Sequence, residues 1–90
     1  MKVIYKYELG NRTKLELPID SQILKFEEQV SGSARNLCIW VLQDNSTKEV
    51  FRTFQIFGTG FQIPNNSKWI GTCQVQGGFV WHLFEIMYDI

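Results

Sequence analysis

The side-chain pattern of this chain repeats every two residues, and that period constrains the fold more than any other feature. Residues 2–9 place Val3, Tyr5, Tyr7 and Leu9 on one face. Lys2, Lys6 and Glu8 lie on the other, with Ile4 among them, as in a half-buried strand. Gly10-Asn11 is a turn signal, and residues 13–17 return with Leu15 and Leu17 inward, so a hairpin is expected over residues 1–17. Pro18 stops the ladder because it has no N–H to donate. A third strand is expected over residues 22–30, where Leu24, Phe26 and Val30 share a face, and Ser31-Gly32-Ser33 forms its tip.

Residues 37–42 carry Leu37, Ile39 and Val41 on one face and Cys38, Trp40 and Leu42 on the other. Strands apolar on both faces are central or covered. After the turn at Asp44-Asn45-Ser46, residues 49–57 set Val50, Phe54 and Ile56 on one face; Gly58-Thr59-Gly60 then punctuates the chain. Residues 69–75 and 79–88 read as the last two strands, joined by a tight turn at Gly77-Gly78, and the final one is again apolar on both sides. Sustained helical spacing with caps is absent, and the one helical feature expected is a short turn near residues 61–66. Residues 1–90 are therefore expected to form a single all-β domain. About seven antiparallel strands would form a small meander rolled into a sandwich or barrel.

Ninety residues make a small core. By area scaling such a chain buries about 60–65% of its unfolded surface, and small scaffolds recover the deficit with disulfides, metals or subunits. Two strands with two apolar faces each, and an aromatic content of 14% that includes Trp40, Trp69 and Trp81, point to a covering subunit. The expectation is a homodimer or higher homo-oligomer with an isologous contact.

Charge excludes other classes. Nine basic residues balance nine acidic ones, which argues against a protein that wraps long nucleic acid through its phosphates. Apolar runs fall far short of the roughly 20 residues of a membrane helix, so no membrane association is expected. Hydrophobic content is too high for disorder. Cys38 and Cys73 lack a CxxC partner and read as small buried hydrophobes reduced in a cytosol. With His82 they offer too few ligands for a closed zinc site, so neither a metal nor a cofactor is expected. The opening MKVIYKYEL has no hydrophobic signal core.

Three features carry candidate chemistry. His82 shares a face with Val80, Phe84 and Ile86, whereas Glu85 has the opposite parity, so the two are not a preassembled acid–base pair. It reads as a core or interface histidine, or as a ligand-binding one. Gly58-Thr59-Gly60 offers backbone N–H groups to an anion, or simply bends the strand. It is not a dinucleotide fingerprint, because position 63 is Ile and no helix is expected after it. Arg52 lies on the face of Val50, Phe54 and Ile56, where a charge is costly unless paired. Either it pairs with Glu49 or a cross-strand acid, or it faces an anion in an aromatic pocket. Arg12 and Arg35 stand beside turns and read as solvated. Glu27-Glu28 lie on opposite faces and form no paired-acid signature. No catalytic residue is assigned.

The segments IYKYEL, LELPIDSQILKFEEQ, LCIWVLQD, FRTFQIFGTGFQIP and WIGTCQVQGGFVWHLFE together resemble a family of short proteins of unknown function found in tailed-phage and prophage genomes. Ile4, where an aromatic is usual, and a short tail over residues 86–90 are departures that leave the motifs intact. The resemblance implies a phage accessory protein, and by analogy a non-enzymatic counter-defence factor in the host bacterial cytoplasm. It would act by stoichiometric binding, preferably sequestering a small nucleotide immune signal. Trp40, Arg52, Phe54, Thr59, Trp81 and His82 are the candidate ligand-binding residues, supplying rings to stack a base and polar groups for phosphate. The alternatives are a protein-binding inhibitor of a defence effector or nuclease, as anti-CRISPR proteins are, or a virion structural or assembly protein.

Overall fold

Strand propensity and alternation produce seven antiparallel strands in the structure, a computed structural model that describes residues 1–87. They are β1 (Val3–Leu9), β2 (Arg12–Pro18), β3 (Gln22–Ser31), β4 (Ala34–Gln43), β5 (Glu49–Gly58), β6 (Ser67–Gln74) and β7 (Val80–Ile86). Two sheets form, one ordered β1-β4-β3 and the other β2-β5-β7-β6. Of the two closures expected, the molecule takes the sandwich; the sheets do not close into a barrel. Tyr88, expected in the last strand, lies outside the described residues.

Consecutive strands pair at two places, the β3–β4 and β6–β7 hairpins. Gly77 and Gly78, at φ of 100° and 91°, make the second turn with a backbone that L side chains rarely adopt. The meander is realised only there. The expected hairpin over residues 1–17 does not form: β1 pairs with β4, β2 pairs with β5, and Gly10-Asn11 carries the chain from one sheet to the other. Register explains the choice. Pairing β1 with β4 sets Tyr7 and Leu9 beside Ile39 and Leu37 and packs them on the core, while Tyr5, beside Val41, stays exposed. Pro18 closes β2 as expected, and Ile19 N–H donates to Lys48 O at 2.7 Å just beyond it.

Between the sheets lie Leu17, Phe26, Ile39, Val41, Phe54, Ile56, Cys73 and Leu83, with Tyr7, Leu9, Leu15 and Trp81 against them. The face expected for β3 is corrected by a bulge at Leu24. One extra residue turns Ile23 and Phe26 inward together and leaves Leu24 exposed. A second irregularity, at Ile70 in β6, sits opposite it. There the strands approach closely: a Cβ on Gly71 would lie 3.3 Å from Phe26 Cβ.

Each two-sided strand finds cover within the chain. Strands β5 and β6 both run antiparallel to the intervening β7, so residues 59–66 must travel the length of the sheet to connect them. They do so without regular structure, turning at Thr59-Gly60 and again at Asn65-Asn66, so the helical turn expected near residues 61–66 does not form. Phe61 folds back onto Gly58, and this crossover lines a hollow with His82 and Phe84. Phe57 and Ile86, which face away from the main core, are buried. On β4, the outward Cys38 and Trp40 lie between charged neighbours, Glu8 and Glu27 beside Cys38, Lys6 and Lys25 beside Trp40. The Lys25 ammonium stands 5.3 Å from the Trp40 ring centroid. Long side chains of this kind cover apolar surface with their stems while their heads stay in water.

Candidate functional site

The six candidate residues divide among three places. Trp40 lies on the outer face of the three-stranded sheet, between Lys6 and Lys25. Phe54 is fully buried in the core, where no ligand reaches it. Arg52, Phe54 and Trp81 share the inner face of the four-stranded sheet, and His82 with Thr59 lies on its outer side. They do not converge on one pocket. Three pairs do meet: Thr59 with His82, Arg52 over the Phe54 ring at 5.4 Å, and Thr59 with Trp81 around one hollow.

Arg52 is committed to the structure. Its Nε donates to Glu85 Oε2 at 2.8 Å and its Nη2 to Glu85 Oε1 at 2.7 Å. Its Nη1 donates to the Ser21 carbonyl at 2.8 Å. The pair is 20% and 10% exposed, and Glu85 is the cross-strand acid that the alternation requires on this face. The Nε–Nη2 edge, the one that would fork onto a phosphate, is already taken by the Glu85 carboxylate, and a third N–H goes to a backbone carbonyl.

His82 sits in a chain of small donors. Trp69 Nε1 donates to Thr72 Oγ1 at 3.0 Å, and that hydroxyl stands 3.1 Å from His82 Nδ1. Thr59 Oγ1 lies 2.9 Å from His82 Nε2. The Thr72 hydroxyl accepts from Trp69 and keeps both a hydrogen and a second lone pair for Nδ1, so either ring tautomer satisfies the chain. Both ring nitrogens are thus occupied by hydroxyls, and Glu85 points to the opposite face.

Two hollows flank Trp81 at one end of the sandwich. One, about 420 Å³ and mostly apolar, is bounded by Gly58, Thr59, Phe61, Phe79, Val80 and Trp81. Phe79 stacks on Trp81 with centroids 6.2 Å apart and planes 21° apart. The other, about 290 Å³, opens between the sheets beside Leu9, Asn11, Arg35, Leu37, Ile56 and Trp81. Phe61, Phe79 and Arg35 are absent from the six candidates. The two phenylalanines were visible as aromatics next to glycine turns, a placement that leaves a ring on the surface. Arg35 was visible by parity, since it shares the inward face of Leu37, Ile39 and Val41. Arg35, expected beside a turn and in solvent, stands just after the turn at Gly32-Ser33 with its side chain 44% exposed, pairs with Val30 at the start of β4 and lines the second hollow. Arg12, exposed as expected, opens β2 and donates to Gln55 at 2.7 Å.

Among the described residues, no group of three or more His, Cys, Asp or Glu side chains is placed to hold a metal ion, and no helix is long and apolar enough to cross a membrane. No curated protein and no solved structure matches the chain. One family does, described as a domain of unknown function (DUF7352), and its match runs over residues 1–88. Covering nearly all of the chain, including every strand and both hollows beside Trp81, that match makes this protein a member of the DUF7352 family.

Proposed function

We propose that this chain is a non-enzymatic, phage-encoded binding protein that counters bacterial immunity by sequestering a small nucleotide signal in the host cytoplasm. The observation that carries the reading is the aromatic hollow of about 420 Å³ at Phe61, Phe79 and Trp81, with the Thr59 hydroxyl at its edge. A volume of that order suits a small ligand. Flat rings exposed beside a rigid strand end suit a base, because stacking is sequence-tolerant and costs little side-chain ordering. A binding role is favoured over catalysis by the state of the titratable groups. His82 spends both nitrogens on threonines, and Glu85 is locked to Arg52, so no acid orients the imidazole toward a nucleophile.

The test is retention and release. Purified protein incubated with a panel of nucleotide signals is desalted, then heated to denature it. Intact ligand recovered in the supernatant supports sequestration, and chemically altered ligand reveals an enzyme. A protein that retains no nucleotide eliminates the reading.

A second reading, a protein-binding inhibitor of a defence effector, is favoured by one observation. Phe51 and Trp69 stand 63% and 57% exposed on the outer side of the four-stranded sheet, and surface aromatics of this kind are enriched in protein interfaces. A host effector that co-elutes with wild-type protein but not with a Trp69→Ala variant would support it.

A further inference from the structure

The sandwich holds two inward-facing arginines, and they are in opposite states. Arg52 is closed by a bidentate contact to Glu85 and a third bond to Ser21 O. Arg35 is not closed in this way. Its side chain is 44% exposed, and its contact with Glu28 Oε1 is a single one at 3.6 Å, beyond hydrogen-bond range. Glu28 is meanwhile approached by the Gln76 backbone N–H, which donates to Oε1 at 3.3 Å. Arg35, its fork not engaged by a carboxylate, is thus one wall of the hollow of about 290 Å³ that it lines with Trp81, Leu9, Leu37 and Ile56. The hollow pairs an apolar wall and one aromatic face with one cation at its edge. That combination matches a flat ring bearing an anionic group, and the guanidinium fork fits two oxygens of a phosphate.

We infer that Arg35 is the anion-recognising residue of this protein, and that its ligand is a nucleoside phosphodiester held between Arg35 and Trp81. The inference rests on the nucleotide-binding reading above and extends it across Trp81, from the aromatic hollow to the neighbouring one, by naming the charged group that second hollow takes. Glu28 sets that charge. Its side chain is 15% exposed and stays within 3.6 Å of the guanidinium, so it cancels part of the cation's field. A phosphodiester, with one negative charge, meets less repulsion there than a phosphate monoester with nearly two. The site is thus built to discriminate by charge, with Arg35 attracting and Glu28 setting the limit.

Calorimetric titration of the full chain with cyclic AMP, AMP and adenosine tests this, the three probes sharing a base and differing in charge. Cyclic AMP is expected to bind most tightly. Arg35→Gln should weaken cyclic AMP by about tenfold or more, the scale of a lost charged hydrogen bond, while leaving adenosine unchanged. Glu28→Gln should strengthen AMP more than cyclic AMP and narrow the difference between them. Unfolding midpoints of both variants, at partly exposed positions, are expected to stay near that of the parent. If cyclic AMP binds and Arg35→Gln leaves its affinity intact, the Arg35 assignment is overturned and the nucleotide reading stands. If none of the three probes binds at millimolar concentration, both are overturned. Equal loss of adenosine and cyclic AMP in Arg35→Gln also overturns the assignment, since it marks a structural role.

Discussion

Arg52 and Arg35 show how little a residue's identity says about its role until its partners are known. Both have inward parity in their strands, and only the placement of Glu85 and Glu28 separates them. Arg52→Ala should lower the unfolding free energy by about 3 kcal/mol, because it strands the Glu85 carboxylate in a partly buried position. Replacing both members with apolar residues of similar volume should cost much less, a difference that urea midpoints resolve. The cysteines yield a pH prediction. Burial pushes the Cys38 and Cys73 thiols up from an ordinary value of 9.0, and for Cys73 nearby Glu27 and Glu28 push the same way. Groups whose folded-state pKa is raised leave stability intact below the unfolded value and lower it as pH climbs past it. Unfolding midpoints should fall between about pH 8 and pH 10, by less in a Cys38→Ala, Cys73→Ala double variant. Thiol-labelling reagents should meanwhile react with the native protein only slowly.

At the scale of elements, alternation placed every strand within a few residues of its observed bounds but did not choose partners. Gly10-Asn11 turns the chain whether it closes a hairpin or passes between sheets, so the local signal was the same in both cases. Bulges were equally hidden. The extra residue at Leu24 shows only when β3 is laid against β4, since a period of two continues on either side of it. Where β3 meets β6, Gly71 accommodates Phe26, and a Gly71→Ala substitution should cost about 1–2 kcal/mol through overpacking between two backbones. The crossover over residues 59–66 makes a second small core on the outer side of the four-stranded sheet. Phe57→Ala beneath it should cost about 3 kcal/mol. That loss should be the same at every protein concentration if the crossover, rather than a second subunit, covers the ring.

For the whole molecule, the shortage of core that motivated a partner is met in part by the chain itself, through the crossover and the lysine stems over Trp40. A homo-oligomer accordingly draws its support from a different place than the two-sided strands, namely the exposed Phe51 and Trp69. Light scattering is expected to return the mass of more than one chain. Trp69→Lys should return it to one chain with little change in the unfolding midpoint, since the ring is largely in solvent before association. A wild-type protein that is monomeric at every concentration overturns the homo-oligomer expected from the sequence and leaves Phe51 and Trp69 to a different partner.

What the sequence determined by itself was the all-β class, the positions of the strands and the shared apolar face of Arg52, Phe54 and Ile56. These follow from a local rule, since successive side chains of a strand point to opposite faces whatever lies beyond them. The tertiary structure decided which strands pair, how the second apolar face of β7 is covered, and which arginine has its fork closed by a carboxylate. Those outcomes depend on contacts between residues far apart in the chain, where burial of the whole apolar surface and satisfaction of every inward charge are settled together. Parity brings a charge to the interior, but only the opposing strand supplies or withholds its partner.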